Sequence, residues 1–198
     1  MGLRKTIFGC QNFKANTFIG GVSASIGTAA ALATKLQIST GRISNFKVVG
    51  NDIQCKISGG SYTIPGQCFK NDTTITYYND PNGLVTYIQA QGLRTCVNLT
   101  YVNFPNVVVF EAYVLEGAKL TGIINFPKLT TLATNTLVSM TGLCTINMPV
   151  VNVLGGNTLF YINTDSTLNI NIALKTSNSG KPDANLSSNG IRRLLVNY

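Results

Sequence analysis

The chain has 198 residues, 44% hydrophobic and only 11% charged, with 15 Lys and Arg against 7 Asp and Glu and no histidine. That length supports one domain with a substantial core. The missing histidine excludes Ser-His-Asp and Cys-His catalysis, and the low charge leaves Asn, Thr, Ser and Gly to cover the surface, as in extracellular or particle-borne β-rich proteins.

Residues 1–42 read as a basic Gly/Ala-rich docking arm. Residues 1–51 carry six bases and no acid, and Ala15 to Thr34 holds no charge at all. A signal peptide would use Arg4 and Lys5 as its basic region and Ala31-Leu32-Ala33 as its cleavage site, but Asn12, Lys14 and Asn16 interrupt it. A membrane helix needs about 20 strongly apolar residues, and this stretch is too polar and glycine-rich. The expectation is an extended or loosely helical arm, kept on the chain and ordered against a neighbouring subunit, with Arg4, Lys5 and Lys14 docking on that partner.

Residues 43–63 predict a small β-meander cap. Ile43–Val49, Ile53–Ile57 and Ser61–Ile64 are strand-like runs separated by Gly50-Asn51-Asp52 and Gly59-Gly60 turns. Ser61 to Phe69 already has the strand, proline, phenylalanine layout of the repeats downstream.

From residue 64 to residue 174 the chain repeats. Asn79, Asn103, Asn125, Asn147 and Asn169 stand at spacings of 24, 22, 22 and 22, and the first four lie two residues ahead of a proline. A fixed period near 22 predicts a solenoid. Apolar columns run in the same register: Phe69, Leu93, Leu115, Leu137 and Leu159; Tyr78, Val102, Ile124, Ile146 and Leu168; Phe104, Phe126, Met148 and Ile170. No single repeat buries its own face, so such columns are what a stacked core requires. The segment before each asparagine alternates as a strand does, and proline ends it because it cannot donate to the ladder. The second half of each unit is expected to be irregular or one helical turn. The first repeat has Asp72 and Asp80 in core columns and two extra residues near Asn82-Gly83, so it reads as a capping repeat.

The run Leu93-x-x-Cys96-x-x-Leu99-x-x-Val102-x-Phe104-Pro105 resembles the surface-protein (BspA-like) leucine-rich repeat, and Leu137 to Pro149 matches it again. The intervening repeat departs, with Thr121 in place of the third leucine and Leu120 shifted by one. Such repeats occur in bacterial surface adhesins and bacteriophage structural proteins. The resemblance implies a curved, mostly parallel sheet that displays side chains on one face.

On that face would lie Tyr77, Tyr101, Asn103, Asn125, Asn147 and Asn169. They offer a polar, aromatic stripe for a host glycan or surface protein. The structural reading of the same residues is an amide ladder and cross-strand tyrosine stacking, which stabilise the coil stack. Residues 175–198 predict a C-terminal cap strand at Leu194-Leu195-Val196, with Arg192 and Arg193 as further docking bases.

No cofactor or metal is implied. The five cysteines form no C-x-x-C pair, and Cys96 falls in an apolar column where it acts as a small hydrophobe. The bases are scattered and not interleaved with aromatics, which argues against nucleic acid as a partner. Glu111 and Glu116 share one repeat and are the only candidates for a glycosidase carboxylate pair, which needs about 5–10 Å between them. The expected fold is mainly β: a short leucine-rich-repeat-like solenoid. The expected function is non-enzymatic: a virion fibre, spike or tail-associated protein, bound to other virion or surface proteins through the arm within a larger assembly. A bacterial cell-surface adhesin and a polysaccharide depolymerase are the alternatives.

Overall fold

A computed structural model describes residues 16–21, 26–142, 144–156 and 158, together with the backbone of Asn169–Ile172 and Arg193–Val196. The chain is mainly β and winds into a β-solenoid of about four turns. Each coil contributes one strand to each of two walls. The first wall holds β5 (Tyr77–Asn79), β7 (Tyr101–Asn103), β9 (Gly122–Asn125), β11 (Cys144–Met148), β13 (Asn169–Ile172) and β14 (Arg193–Val196). The second wall holds β4 (Tyr62–Ile64), β6 (Val85–Ile88), β8 (Val109–Phe110), β10 (Thr131–Leu132) and β12 (Val153–Leu154), all parallel and in that order. The half-repeat expected to be irregular or helical thus carries a second short strand. Val109 and Thr131 partly face solvent while Phe110 and Leu132 are buried, and this alternation suits a wall.

The two walls meet at the prolines. The amides of Val107, Leu129 and Val151 donate to the carbonyls of Phe104, Phe126 and Met148, closing one turn per coil with Pro at its second position. Between the second wall and the next first-wall strand runs an arc of turns. Gln67, Gln91, Tyr113 and Asn135 form one left-handed column and Asn71, Thr95, Gly117 and Ser139 another, all with φ between 57° and 73°. Left-handed residues four apart turn the chain so that every second amide of the arc faces the next coil. So the amides of Gln67, Phe69 and Asn71 donate to the carbonyls of Ala90, Gly92 and Arg94 one coil along. The steric cost of each left-handed residue is about 1–2 kcal/mol, and these coil-to-coil bonds offset it.

The core columns lie where the spacing puts them. Leu93, Leu115 and Leu137, then Val102, Ile124 and Ile146, then Phe104, Phe126 and Met148 are buried. Phe110 meets Phe126 edge-on at 5.0 Å, and Tyr78 meets Phe104 at 5.2 Å. Cys96 is buried and its thiol donates to the Phe69 carbonyl at 2.9 Å.

The N-terminal region departs from the expected arm. β1 (Thr17–Gly20) lies between β3 (Asp52–Ile57) and β5, antiparallel to both, and β2 (Ile43–Val49) pairs antiparallel with β3 at the sheet edge. The helix α1 (Ala29–Leu36) buries Leu32, Ala33 and Leu36 in the core. Thr28 caps it by accepting from the Ala31 amide. A low-charge segment rich in small residues is what a buried strand and a tightly packed helix need, and this composition is shared with a docking arm. The meander is likewise corrected: β2 and β3 form a hairpin, whereas β4 is the first strand of the second wall.

At the other end β14 pairs in parallel with β13, so the terminal strand lies in a sheet as expected. The register there differs from the expected column. Asn171, not Asn169, pairs with Asn147, and Asn169 pairs with Thr145. The coil before β13 is two residues longer than its predecessor, which fixed 22-residue counting hides.

Candidate binding face

The outward residues of the first wall form two columns. One runs Tyr77, Tyr101, Ile123, Thr145 and, by backbone register, Asn169 and Arg193. The other runs Asn79, Asn103, Asn125 and Asn147, and by backbone register alone Asn171. Tyr101, Asn103, Asn125 and Asn147 therefore share one displayed face, as the alternation predicts. Arg4, Lys5, Lys14 and Arg192 lie outside the described residues, and so do Leu159, Leu168 and the loop around residues 177–183.

The asparagines form a ladder in two pieces. Asn103 Nδ2 donates to Asn79 Oδ1 at 2.8 Å, and Asn147 Nδ2 donates to Asn125 Oδ1 at 2.6 Å. Asn103 and Asn125 are not joined. At this step β7 and β9 are not paired, and the wall divides into two sheets. Coil-to-coil bonding passes instead through Lys119 to the Leu99 carbonyl and Thr121 to the Thr100 carbonyl. Gly122 has φ 77°, open space where a Cβ would stand, and starts β9 in a conformation that favours glycine. The sequence signal is the displaced leucine: Leu120 reaches the core one residue early, and the chain needs an extra left-handed step to restore register. One residue further on, Ile123 is 66% exposed.

Tyr77 is less available than its column position suggests. β1 covers it: an added Cβ on Gly20 would sit 1.9 Å from Tyr77 Cε1. Burial raises its phenol above the ordinary range, and the Asp52 charge and hydrogen bond raise it further. Tyr101 remains partly exposed, and burial of its inner side raises its phenol too.

Every described carboxylate is engaged by the scaffold. Asp52 accepts from the Gly21 amide at 3.0 Å. Asp72 accepts from the Thr74 amide at 3.0 Å and the Thr74 hydroxyl at 2.6 Å. Glu111 accepts from the Tyr87 hydroxyl at 2.6 Å and the Ala90 amide at 2.8 Å, tying one coil to the next. That bond is the leading reason the Tyr87 phenol is raised. Glu116 pairs with Arg94 at 2.5 Å, and the guanidinium lies 4.8 Å from the Tyr113 ring. Glu111 and Glu116 therefore each form a separate cross-coil tie.

Asp80 is the least expected. It is fully buried in the column that Phe104 and Phe126 fill in later coils. Its Oδ2 accepts from the Val85 amide at 2.7 Å, holding the two-residue insertion that the first repeat shows, while its Oδ1 is buried without a partner. Burial pushes its carboxyl up, and the amides of Val85 and Leu84 pull it part of the way back. Tyr62 and Tyr78 share a buried hydroxyl bond of 2.8 Å in the same coil.

A cleft of about 280 Å³ lies between the end of α1 and the first coil, lined by Leu36, Ile38, Arg42, Tyr62, Pro65 and Gln89 among others. Its guanidinium is committed to the β3–β4 turn, donating to the carbonyls of Ser58 at 2.6 Å and Gly60. No group of three or more His, Cys, Asp or Glu side chains could hold a metal among the described residues, and no described helix is long and apolar enough to cross a membrane. No protein-family model matches the chain, and no curated protein or solved structure is similar to it.

Proposed function

We propose that the chain is a non-enzymatic structural and recognition protein, a bacteriophage virion component such as a fibre, spike or tail-associated protein. Its first wall is the surface it presents to host or partner. The observation that carries this reading is the wall itself: a regularly spaced face, uncharged from Tyr77 through Asn147, with Tyr101 and Ile123 outward, on a scaffold whose Glu111 and Glu116 tie coils together. Rigid stacked coils present side chains at fixed spacing with little ordering entropy to lose on contact. Placement on a phage particle rests on the repeat resemblance, which is an analogy of fold.

Immunogold electron microscopy tests it, with an antibody to residues 81–174 applied to purified particles and to source cells. Label at one place on particles is the expected result. Label on cell surfaces alone would make the protein an adhesin. Reducing-sugar release that Glu111→Gln or Glu116→Gln abolishes would make it a depolymerase.

A further inference from the structure

We propose that the seam between β7 and β9 is a binding site for a neutral oligosaccharide. The inference rests on the recognition reading above and names its ligand class.

The interrupted ladder supplies the polar half of the site. Asn103 spends its amide nitrogen on Asn79, and Asn125 spends its amide oxygen on Asn147. What remains is the Asn103 amide oxygen with one further N–H, and the Asn125 amide NH₂ with one further lone pair on its oxygen, on successive coils and not bonded to each other. Paired strands lie about 4.8 Å apart, and an unpaired step is no narrower. A single hydroxyl both donates and accepts, so one hydroxyl spans that gap while completing both amides. A carboxylate offers only acceptors and would leave the Asn103 oxygen unmet, and an ammonium offers only donors and would leave the Asn125 NH₂ unmet, whereas a hydroxyl meets both.

The apolar half flanks it. The partly exposed ring of Tyr101 lies on the N-terminal side, and the Ile123 side chain, 66% exposed, lies on the C-terminal side. Gly122, next to Ile123, leaves open space where any Cβ would project. A pyranose ring has this combination, with C–H faces for an aromatic plane and hydroxyls at its rim. The two outward columns hold no charged residue from Tyr77 through Asn147, so a neutral sugar loses no ionic hydration there and an acidic one gains no ion pair.

The test is an array of neutral and acidic oligosaccharides of about four to eight sugars, probed with the full chain, followed by calorimetric titration of any bound member. Neutral members should bind, and Tyr101→Ala and Asn125→Ala should each weaken binding at least tenfold. Val153→Ser, on the opposite wall, should leave it unchanged. Asn125 is exposed, so its substitution tests the site without threatening the fold. Retention of no neutral oligosaccharide overturns the proposal, as does binding indifferent to Asn125→Ala. Sedimentation showing a dimer that Ile123→Asp dissolves would overturn it too, because a second copy would then occupy the seam. Particle label without oligosaccharide binding sinks the site alone, whereas oligosaccharide binding without particle label sinks the virion placement alone.

Discussion

Gly20 lies flat beneath the ring of Tyr77. The two residues pair across antiparallel strands, and an added Cβ on Gly20 would come within 1.9 Å of the ring. An aromatic laid over a strand glycine covers backbone that would otherwise be open, and it fixes the register of the pair. This contact joins the N-terminal hairpin sheet to the first coil. Gly20→Ala should therefore destabilise by about 1–3 kcal/mol, the usual range for overpacking. Adding Tyr77→Ala should recover part of the loss, since the clash then has no partner. Urea unfolding of the four members of this cycle reads the coupling, and strict additivity would show that the contact is not what links the two strands.

The same junction fixes the consequence of truncation. Removing residues 1–40 deletes β1 from between β3 and β5 and takes Leu32, Ala33 and Leu36 out of the core. The first coil loses its antiparallel partner and exposes the inner face around Phe69 and Tyr78, which pack together at 5.9 Å. A truncated chain should show a weaker sheet signal in circular dichroism and bind a hydrophobic dye. A dichroism spectrum per residue equal to that of the full chain would mean that the segment is a dispensable arm after all.

The period and the core columns are readable because stacking forces identical chemistry onto identical positions, as at Leu93, Leu115 and Leu137. The strand ends are readable because proline cannot donate. Other features are not, for physical reasons. The left-handed columns are filled by Gln, Tyr, Asn, Thr and Ser as well as Gly, so composition does not mark them, and the cost is met by neighbours rather than by residue type. The role of β1 is hidden because antiparallel pairing with β5 is a long-range event that leaves no local pattern beyond Thr17-Phe18-Ile19. The seam leaves a trace in the Leu120–Thr121 displacement, yet only the register shows that it separates Asn103 from Asn125. Asn169 is misplaced by counting a constant 22 across a coil that is two residues longer.

Asp80 gives the fold a pH dependence of definite sign. Its carboxyl is raised in the folded chain by burial. A group whose pKa rises on folding binds its proton more tightly in the native state, so its contribution is full below the unfolded value and is lost as pH rises through the folded value. Asp80→Asn keeps an acceptor for the Val85 amide and cannot ionise. The difference in Tm between Asp80→Asn and the parent should therefore shift in favour of the variant as pH rises from about 3 to 8, the range that brackets an ordinary and a raised carboxyl. Parallel Tm-against-pH curves would show that Asp80 ionises as readily in the core as in the unfolded chain.

Core and cross-coil ties should separate cleanly in magnitude. Phe126 is fully buried and edge-on to Phe110, so Phe126→Ala should cost about 3–5 kcal/mol. Glu111 joins two coils near the surface, and Glu111→Gln keeps one oxygen for the Ala90 amide while its NH₂ can donate to the Tyr87 hydroxyl, which then turns acceptor, so it should cost no more than about 1 kcal/mol. Chemical denaturation of both variants decides. A larger effect at Glu111 than at Phe126 would mean that the coil stack is held by its ties rather than by its core.

The thiols report on the same packing without mutation of the core. Burial pushes Cys55, Cys96 and Cys144 up to about 12, and Cys68 to about 12 as well, although Lys35 pulls the last one down. At pH 8 such a thiol is about one part in ten thousand thiolate, and the thiolate is the reactive form. Cys68 is only partly buried, but its thiol donates to the Lys35 carbonyl at 3.2 Å, which holds it against the end of α1. In a Cys10→Ser background, a disulfide reagent at pH 8 should find the native protein silent over minutes and release four equivalents in guanidinium. Rapid release of one equivalent, traced to Cys68, would mean that α1 lifts from the first coil in solution. Rapid release from Cys96 would mean that the coil stack itself opens, because its sulfur is fully enclosed between the first and second coils.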